Sequence, residues 1–384
     1  MAKRVILLVC CVAVVALAAV GTWHFSKHFG DRFVSYPVRK VQPVGKTNVV
    51  ITGEDEESVT LQKTDDGPWK VLMFTDLHLC RVDGKYIEEN AKIELYTGFD
   101  RMIRSIQREK PDLVLLGGDN VVEGWNHKRT RTFARALERL GVFWGGVIGN
   151  HEGDSFGSYK RENMVKKFAS YDHCIMRRGP QNIDGDCNYC IHLLNSDGSH
   201  AETVFCLDTF NNITDEIRAS HEIFEKETDY DGAHENQVEW YRAKAKALKR
   251  VYGDYKSILL MHIPLPAFDR AAETGKFLYG DLREPICSTC YENGLFDAIK
   301  QVGVTQAVFC GHDHLNNFGV EYEGVVLSYI EPSGYGSYGM INRGKPEKEW
   351  LQGYTALTIA PDGSYTHTQI RYCDIFESST EETK

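Results

Sequence analysis

The stretch that decides the fold covers residues 111–120 and reads Pro-Asp-Leu-Val-Leu-Leu-Gly-Gly-Asp-Asn. Its four consecutive apolar residues predict a short strand buried on both faces, and this strand is followed by Asp119. Four other apolar runs end in the same way, at aspartate, asparagine or histidine: Asp76 and His78, Asn150 and His151, His262, and His312 and His314. Ligands in such sheets gather beyond the carboxyl ends of the strands, so we expect these side chains to meet at one edge.

Segments with helical periodicity alternate with these strands, notably residues 86–108, 130–140, 237–251 and 290–301. The alternation predicts an α/β fold (α+β in some schemes) in which a buried sheet is flanked by helices. We assign residues 66–375 to one catalytic domain. Residues 26–65 are predicted to form a stalk or a hairpin, and residues 376–384 a disordered acidic tail.

The chain carries 44 Lys and Arg against 54 Asp and Glu, a net charge of −10, which argues against broad docking on nucleic acid. At the N-terminus, Lys3 and Arg4 precede an apolar run over residues 5–21. Residues 1–25 therefore predict a cleaved signal peptide or a signal-anchor helix, and both readings stay open. Either one places the body of the protein in the secretory pathway, lumenal or extracellular, and the anchor would attach it to the membrane. The Asn212-Ile213-Thr214 sequon permits glycosylation there.

Two Cys-x-x-Cys pairs stand out among the 11 cysteines, Cys187 with Cys190 and Cys287 with Cys290. A zinc ribbon needs its two pairs about 15–20 residues apart, and here they are far more widely separated. We therefore expect disulfides between loops, of unassigned pairing, in an oxidising compartment.

The residue types at the strand ends indicate a metal centre. Carboxylates combined with imidazoles suit divalent ions such as Mn, Fe or Zn better than Ca or a thiolate site. A centre of two ions about 3.5–4 Å apart needs a carboxylate that bridges them. Asp119, at the end of the strand quoted first, is well placed for that role.

Five motifs in this order resemble the calcineurin-like metallophosphoesterase superfamily: Asp76-x-His78, Gly118-Asp119-Asn120, Gly149-Asn150-His151-Glu152, His262 after an apolar strand, and Gly311-His312-x-His314. The resemblance covers roughly residues 69–335, and the stretch from Cys290 to Asn317 is similar to the branch related to purple acid phosphatases. It implies a four-layer fold with a central β-sandwich and helices on both sides.

The resemblance also implies a ligand set and a chemistry. One divalent ion would bind Asp76, His78, Asp119 and His314. The second ion would bind Asp119, Asn150, His262 and His312. A hydroxide bridging the two ions would attack phosphorus in line, and His151 would assist the leaving group. Glu152 would either orient one of these groups or serve as a helix-start acid.

One position departs from the family pattern. Purple acid phosphatases bind ferric iron through a tyrosine three residues after the bridging aspartate, and that position is Val122 here. We therefore expect a colourless enzyme with a pair of divalent ions.

The function expected from the sequence is a phosphomonoesterase that acts on a phosphorylated small molecule or a phosphoprotein. A phosphodiesterase or nuclease with the same centre is the first alternative, although the acidic charge balance disfavours a polynucleotide. The second alternative is an inactive scaffold of the same fold that binds protein partners.

Overall fold

The structure is a computed structural model, and it describes residues 36–45, 47–79, 96–122, 124, 126–226 and 228–376. Most of residues 1–48, including the N-terminal apolar run, lies outside these residues, as do the first half of the helix predicted over 86–108 and nearly all of the tail. The chain divides into a short unit, residues 1–39, and a main unit, residues 40–384. No helix within the described ranges is long and apolar enough to cross a membrane.

The strands of the described part are β1 (Val49–Glu54), β2 (Ser58–Lys63), β3 (Trp69–Phe74), β4 (Leu113–Gly117), β5 (Phe143–Val147), β6 (Tyr189–Leu194), β7 (His200–Cys206), β8 (Ser257–Leu260), β9 (Lys276–Tyr279), β10 (Thr305–Cys310), β11 (Gly319–Tyr322), β12 (Val325–Tyr329), β13 (Gly353–Ile359) and β14 (Tyr365–Arg371). The α-helices are α1 (Thr97–Glu109), α2 (His127–Leu140), α3 (Arg161–Phe168), α4 (Asp215–Ser220), α5 (Glu235–Tyr252), α6 (Pro266–Thr274), α7 (Leu295–Val302) and α8 (Tyr372–Ile375). Short 3-10 helices cover Val38–Lys40, Met340–Arg343 and Glu347–Glu349.

Among the described residues these strands form two sheets. The larger has the order β1-β2-β6-β7-β8-β10-β12-β11-β9, and the smaller has the order β14-β13-β3-β4-β5. Strands β7, β8, β10 and β12 run parallel in the first sheet, and β3, β4 and β5 run parallel in the second. Parallel strands bring their carboxyl ends to one edge, which sets up the site described below.

The two sheets pack face to face with helices outside both. Tyr189 of β6 crosses the interface, where its hydroxyl accepts from the Gly146 amide of β5 at 2.8 Å. Gly146 (φ 129°) must be glycine, because a Cβ there would lie 2.2 Å from the Leu116 carbonyl oxygen. Helices α1 to α3 cover the smaller sheet through Phe133, whose ring contacts Phe99 and Trp144.

On the other side, a core formed by the larger sheet and helices α5, α6 and α7 includes Phe205, Tyr241, Phe268 and Ile299. Strands β4 and β8 are buried along their whole length, since one face meets helices and the other meets the opposite sheet. The predicted α/β class, with a central sandwich flanked by helices, is confirmed.

The helix predicted over residues 290–301 starts later than expected. Helix α7 begins only at Leu295, because Gly294 adopts a left-handed backbone (φ 75°) and ends the preceding loop. The Asn293 side chain accepts from the Leu295 amide at 3.0 Å, which stabilises this start.

The predicted disulfides do not occur among the described residues, where the eight cysteines are free thiols. Cys190 points from β6 into the core beside Phe205. Cys187 lies before that strand, in an environment shaped by the charges of Asp208 and Arg161. The two thiols of this pair therefore lie in different surroundings. The expectation of disulfides between loops, whose pairing the sequence left open, is wrong for these eight cysteines.

Candidate metal centre

The polar residues that follow five strands lie together where the two sheets meet. Strands β3, β4 and β5 supply the residues from the smaller sheet, and β8 and β10 supply those from the larger. Backbone hydrogen bonds join the first two loops, because the Asp76 amide donates to the Gly118 carbonyl and the His78 amide to the Asp119 carbonyl, both at 2.9 Å. These bonds hold the loops after β3 and β4 in fixed positions relative to each other.

Four of these residues hold a backbone conformation that non-glycine residues rarely adopt. The φ angles are 51° at Asp76, 45° at His78, 52° at Asp119 and 80° at His312. Strained backbone of this kind persists only where the surrounding structure enforces it, and it clusters at functional sites.

The first group of possible ligand atoms comes from Asp76, His78 and His314, within 4.8 Å of one another. His314 Nε2 lies 3.2 Å from Asp76 Oδ1, and His78 Nε2 lies 3.6 Å from the same oxygen. His78 Nε2 is also 3.5 Å from Asp119 Oδ2. These four side chains are the set predicted for the first ion.

The second group contains Asp76, Asp119 and His262. His262 Nε2 lies 3.3 Å from Asp119 Oδ2 and 3.0 Å from Asn150 Oδ1. The ring of His312 has its centroid 5.2 Å from that of His262, but its nitrogens belong to neither group. Asp119 Oδ2 therefore lies between the two histidines assigned to different ions.

Two buried atoms at the centre have no hydrogen-bond partner among the described residues, Asp76 Oδ1 and His78 Nε2. A buried polar atom without a partner is costly, and a cation would satisfy both of these. Asp76 Oδ2 is already occupied, accepting from the Thr75 hydroxyl at 2.8 Å and the His312 amide at 2.9 Å. The residues present thus fit a pair of divalent ions.

Hydrogen bonds on the far side of the rings orient two of the histidines. His262 Nδ1 donates to the Gly117 carbonyl at 2.8 Å, and His314 Nδ1 donates to the Tyr338 carbonyl at 3.0 Å. Each bond makes Nδ1 the donor to a carbonyl, so Nε2 is the nitrogen that faces the centre and that a metal ion would bind once its proton has left.

The two buried carboxylates attract positive charge to this point. Burial opposes the ionisation of Asp119, but His262 and then His78 outweigh it and hold the pKa well below its usual value. Burial likewise would lower the pKa of His262, yet Asp119 and Asp76 raise it to about 10. The same attraction serves a proton or a metal ion, which compete for these atoms.

His151 lies at the rim, with its side chain 46% exposed and its ring 5.5 Å from that of His78. Its backbone amide donates to Asp119 Oδ1 at 2.8 Å, so its position is tied to the centre. Its Nδ1 lies 2.8 Å from Asp154 Oδ2, and this hydrogen bond raises the pKa of His151 to about 9. Our sequence reasoning missed Asp154, although a carboxylate three residues after a histidine was a usable signal.

Glu152 holds together the loops that follow β4 and β5. One carboxylate oxygen accepts from the amides of Asp119 (2.8 Å) and Gly149 (2.7 Å), and the other from those of Asn120 (2.5 Å) and Val121 (3.1 Å). No helix starts at this residue, since α3 begins at residue 161. Of the two predicted roles, the geometry therefore favours orientation of the centre over a helix-start acid.

Arg161 is a further residue that sequence reasoning missed. Its guanidinium donates to the Gly149 carbonyl and pairs with Asp208, which follows β7 at the same edge. Asp208 also accepts from the amides of Asp186 at 2.8 Å and Phe210 at 3.0 Å. The loop carrying Asn150 is thus supported from behind by a buried ion pair.

Comparison with known proteins adds independent information. The family model described as Calcineurin-like phosphoesterase matches residues 70–316. The chain is 26% identical over 306 residues to a protein named probable inactive purple acid phosphatase 14 of Arabidopsis thaliana, covering 73% of this chain and 74% of that one. It is 24% identical over 284 residues to phosphatase DCR2 of Saccharomyces cerevisiae, covering 69% of this chain and 47% of that one.

A solved structure, that of a dimetal phosphatase from Danio rerio, also aligns with this chain. The TM-score is 0.48 at 15% sequence identity, and the alignment covers 77% of this chain and 94% of the other. The predicted resemblance to this superfamily, and to its branch related to purple acid phosphatases, is confirmed by the family and by the names of the sequence relatives.

Proposed function

Since this chain belongs to the calcineurin-like phosphoesterase family, we propose that it is a binuclear metal-dependent phosphomonoesterase. The observation that carries the proposal is the buried pair of unpartnered atoms, Asp76 Oδ1 and His78 Nε2, among converging carboxylates and imidazoles. A scaffold that only binds partners would have no need of such a costly arrangement.

The ligand sets predicted from the sequence are part of this proposal. Asp76, His78, Asp119 and His314 would hold one ion, and Asp119, Asn150, His262 and His312 the other. The position of Asp119 Oδ2, 3.5 Å from His78 Nε2 and 3.3 Å from His262 Nε2, supports a bridging role. Burial lowers the pKa of His312 to about 3, which keeps its imidazole in the neutral form that metals bind.

When bound by these residues, two divalent ions would supply an activated water and neutralise charge on the phosphoryl oxygens. The protein supplies the proton for the leaving group. His151 shares its Nδ1 proton with Asp154, and its raised pKa keeps Nε2 protonated near neutrality. Its exposed position at the rim suits transfer of that proton to a departing alkoxide.

An inactive scaffold is the competing reading, and the names of the relatives favour it, since three of them are called probable inactive purple acid phosphatases. Those names apply to the relatives and not to this chain. Here the full predicted set of side chains is present, and metal content tests the difference directly.

The experiment uses purified chain loaded in turn with Mn, Zn, Fe and Mg. Bound metal is quantified, and hydrolysis of p-nitrophenyl phosphate is compared with that of bis-p-nitrophenyl phosphate. We expect close to two ions per chain and faster monoester turnover. The Asp119→Asn variant should lose metal and activity together, because a neutral amide bridges two cations poorly. Diester preference would support the phosphodiesterase alternative, and folded protein without metal or turnover would support the scaffold.

We also propose a lumenal or extracellular location, supported by the basic and apolar N-terminal sequence and by the exposed Asn212 of the sequon. Cellular protein should shift in mobility on treatment with an N-glycosidase, and an Asn212→Gln variant should not. An unshifted wild-type chain would contradict glycosylation at this position.

A further inference from the structure

Tyr230 lies against the metal centre on the segment between α4 and α5. Its ring meets that of His312 edge-on, with centroids 4.3 Å apart and planes at 87°. Its carbonyl accepts from the Cys290 amide at 3.0 Å, and its backbone forms an isolated bridge with Asn212. Backbone and ring are thus both held, and the side chain remains partly exposed.

The hydroxyl of Tyr230 has no hydrogen-bond partner in the described part of the chain. Other tyrosines nearby do have partners: Tyr329 donates to Asp313 at 2.6 Å, and Tyr338 donates to Glu284 at 3.0 Å. The Tyr230 hydroxyl differs from these two in having no protein acceptor among the described residues, and its partial exposure leaves it accessible to a ligand.

A tyrosine phenol carries its proton near neutral pH and can donate it to one hydrogen-bond acceptor. Its strongest acceptors are oxygens that carry negative charge, and the non-bridging oxygens of a phosphoryl group are of this kind.

Building on the proposed function, we propose that the Tyr230 hydroxyl donates a hydrogen bond to a non-bridging phosphoryl oxygen of the bound ester, on the His312 side of the centre. Tyr230 then binds substrate. The hydrogen bond from Tyr230 orients the phosphoryl group, whose charge the ions held by the predicted ligands would neutralise. Any ligand with a tetrahedral oxyanion, including inorganic phosphate, would use the same contact.

The test uses the full metal-loaded chain and two readouts, calorimetric binding of inorganic phosphate and turnover of p-nitrophenyl phosphate. Tyr230→Phe keeps the ring against His312 and removes the hydroxyl alone. We expect phosphate affinity and kcat/KM each to fall about 10-fold with metal content unchanged, the usual scale for one hydrogen bond to a charged group. The matched control is Tyr171→Phe, a partly exposed tyrosine beside Lys167 after α3, which should match wild type.

Each outcome decides between the two proposals. Equal phosphate affinity and turnover in wild type and Tyr230→Phe would overturn the role of Tyr230 and leave the phosphatase proposal standing. Phosphate binding that depends on Tyr230 without any turnover would support its role and contradict the proposed activity. Loss of metal from Tyr230→Phe would show that the residue is structural. A wild-type chain that neither binds phosphate nor turns over substrate would overturn both.

Discussion

The two carboxylate oxygens of Asp76 have different partners at the centre. Oδ2 accepts from the Thr75 hydroxyl and the His312 amide, so the carboxylate cannot rotate freely. Oδ1 is left facing His314 and His78. Preorganisation of this kind lowers the cost of assembling a metal site, because the ligand atom is already aimed.

His151 and Asp154 carry the first prediction. His151→Ala should lower monoester turnover about 100-fold with metal content unchanged, because proton donation is lost while the predicted ligands remain. Asp154→Asn should cause a smaller fall, about 10-fold, since the imidazole remains but loses the carboxylate that orients it. Steady-state kinetics and metal analysis of the same samples provide the measurement. Full activity in His151→Ala would remove the residue from the mechanism.

At the scale of elements, the loops after β4 and β5 depend on one carboxylate. Glu152 accepts four backbone amides and is 1% exposed. Burial, and then the nearby charge of Asp119, raise the pKa of Glu152 to about 7. Its four hydrogen bonds join the loops after β4 and β5, in addition to the bond from the His151 amide to Asp119.

Glu152→Gln should destabilise the fold, because the amide group of glutamine would face backbone N–H groups that need acceptors. We expect the free energy of unfolding to fall by about 2–3 kcal/mol in urea denaturation. The control is Glu162→Gln, which removes an exposed pair with Lys166 on α3 and should leave the free energy of unfolding nearly unchanged. Equal stability of the two variants would show that the four hydrogen bonds contribute little.

His192 on β6 makes the strand pair β6–β7 sensitive to acid. Its side chain is 5% exposed and its Nδ1 lies 3.1 Å from Thr203 Oγ1. Burial, and then the charge of Lys244, lower the pKa of His192 to about 4. Between about pH 6.5 and pH 4, His192 binds a proton in the unfolded chain but not in the folded chain. The free energy of unfolding therefore falls as the pH falls.

His192→Gln should therefore weaken the dependence of stability on pH. Melting temperatures measured at pH 7 and pH 5 should differ less in this variant than in wild type. The exposed His221→Gln serves as control and should keep the wild-type difference. Metal loss at low pH affects all three proteins alike, so identical pH dependence in all of them would contradict the prediction.

At the scale of the whole molecule, the predicted ligands come from both sheets, so metal binding would join the two halves of the sandwich. Bound ions stabilise the folded state by about 4 kcal/mol when free metal is 1,000 times the Kd. Chelation should then lower the melting temperature by about 5–10 °C in calorimetry. Asp119→Asn should melt at the same temperature with and without chelator. A wild-type chain indifferent to chelation would argue against a structural contribution from metal.

Much of the fold could be predicted because its signals are local. An apolar run of four to six residues followed by aspartate or histidine reveals a buried strand and its polar end, as at β4 and Asp119. The start of α7 was misplaced because Gly294 takes a left-handed conformation that periodicity does not register. The expectation of disulfides was wrong for the eight described cysteines, because a count and a spacing of cysteines do not show whether any two thiols come within bonding distance.

The sequence by itself determined the strand ends, the types of side chain there, and hence the family to which the chain belongs. Only the tertiary structure decided which groups support them: Glu152 across two loops, Arg161 behind Asn150, and Tyr230 against His312. These contacts join residues far apart in the chain, and no local pattern encodes a distance between them. The type of side chain at each strand end can be read from the sequence. The orientation of each reactive atom depends on how the two sheets pack.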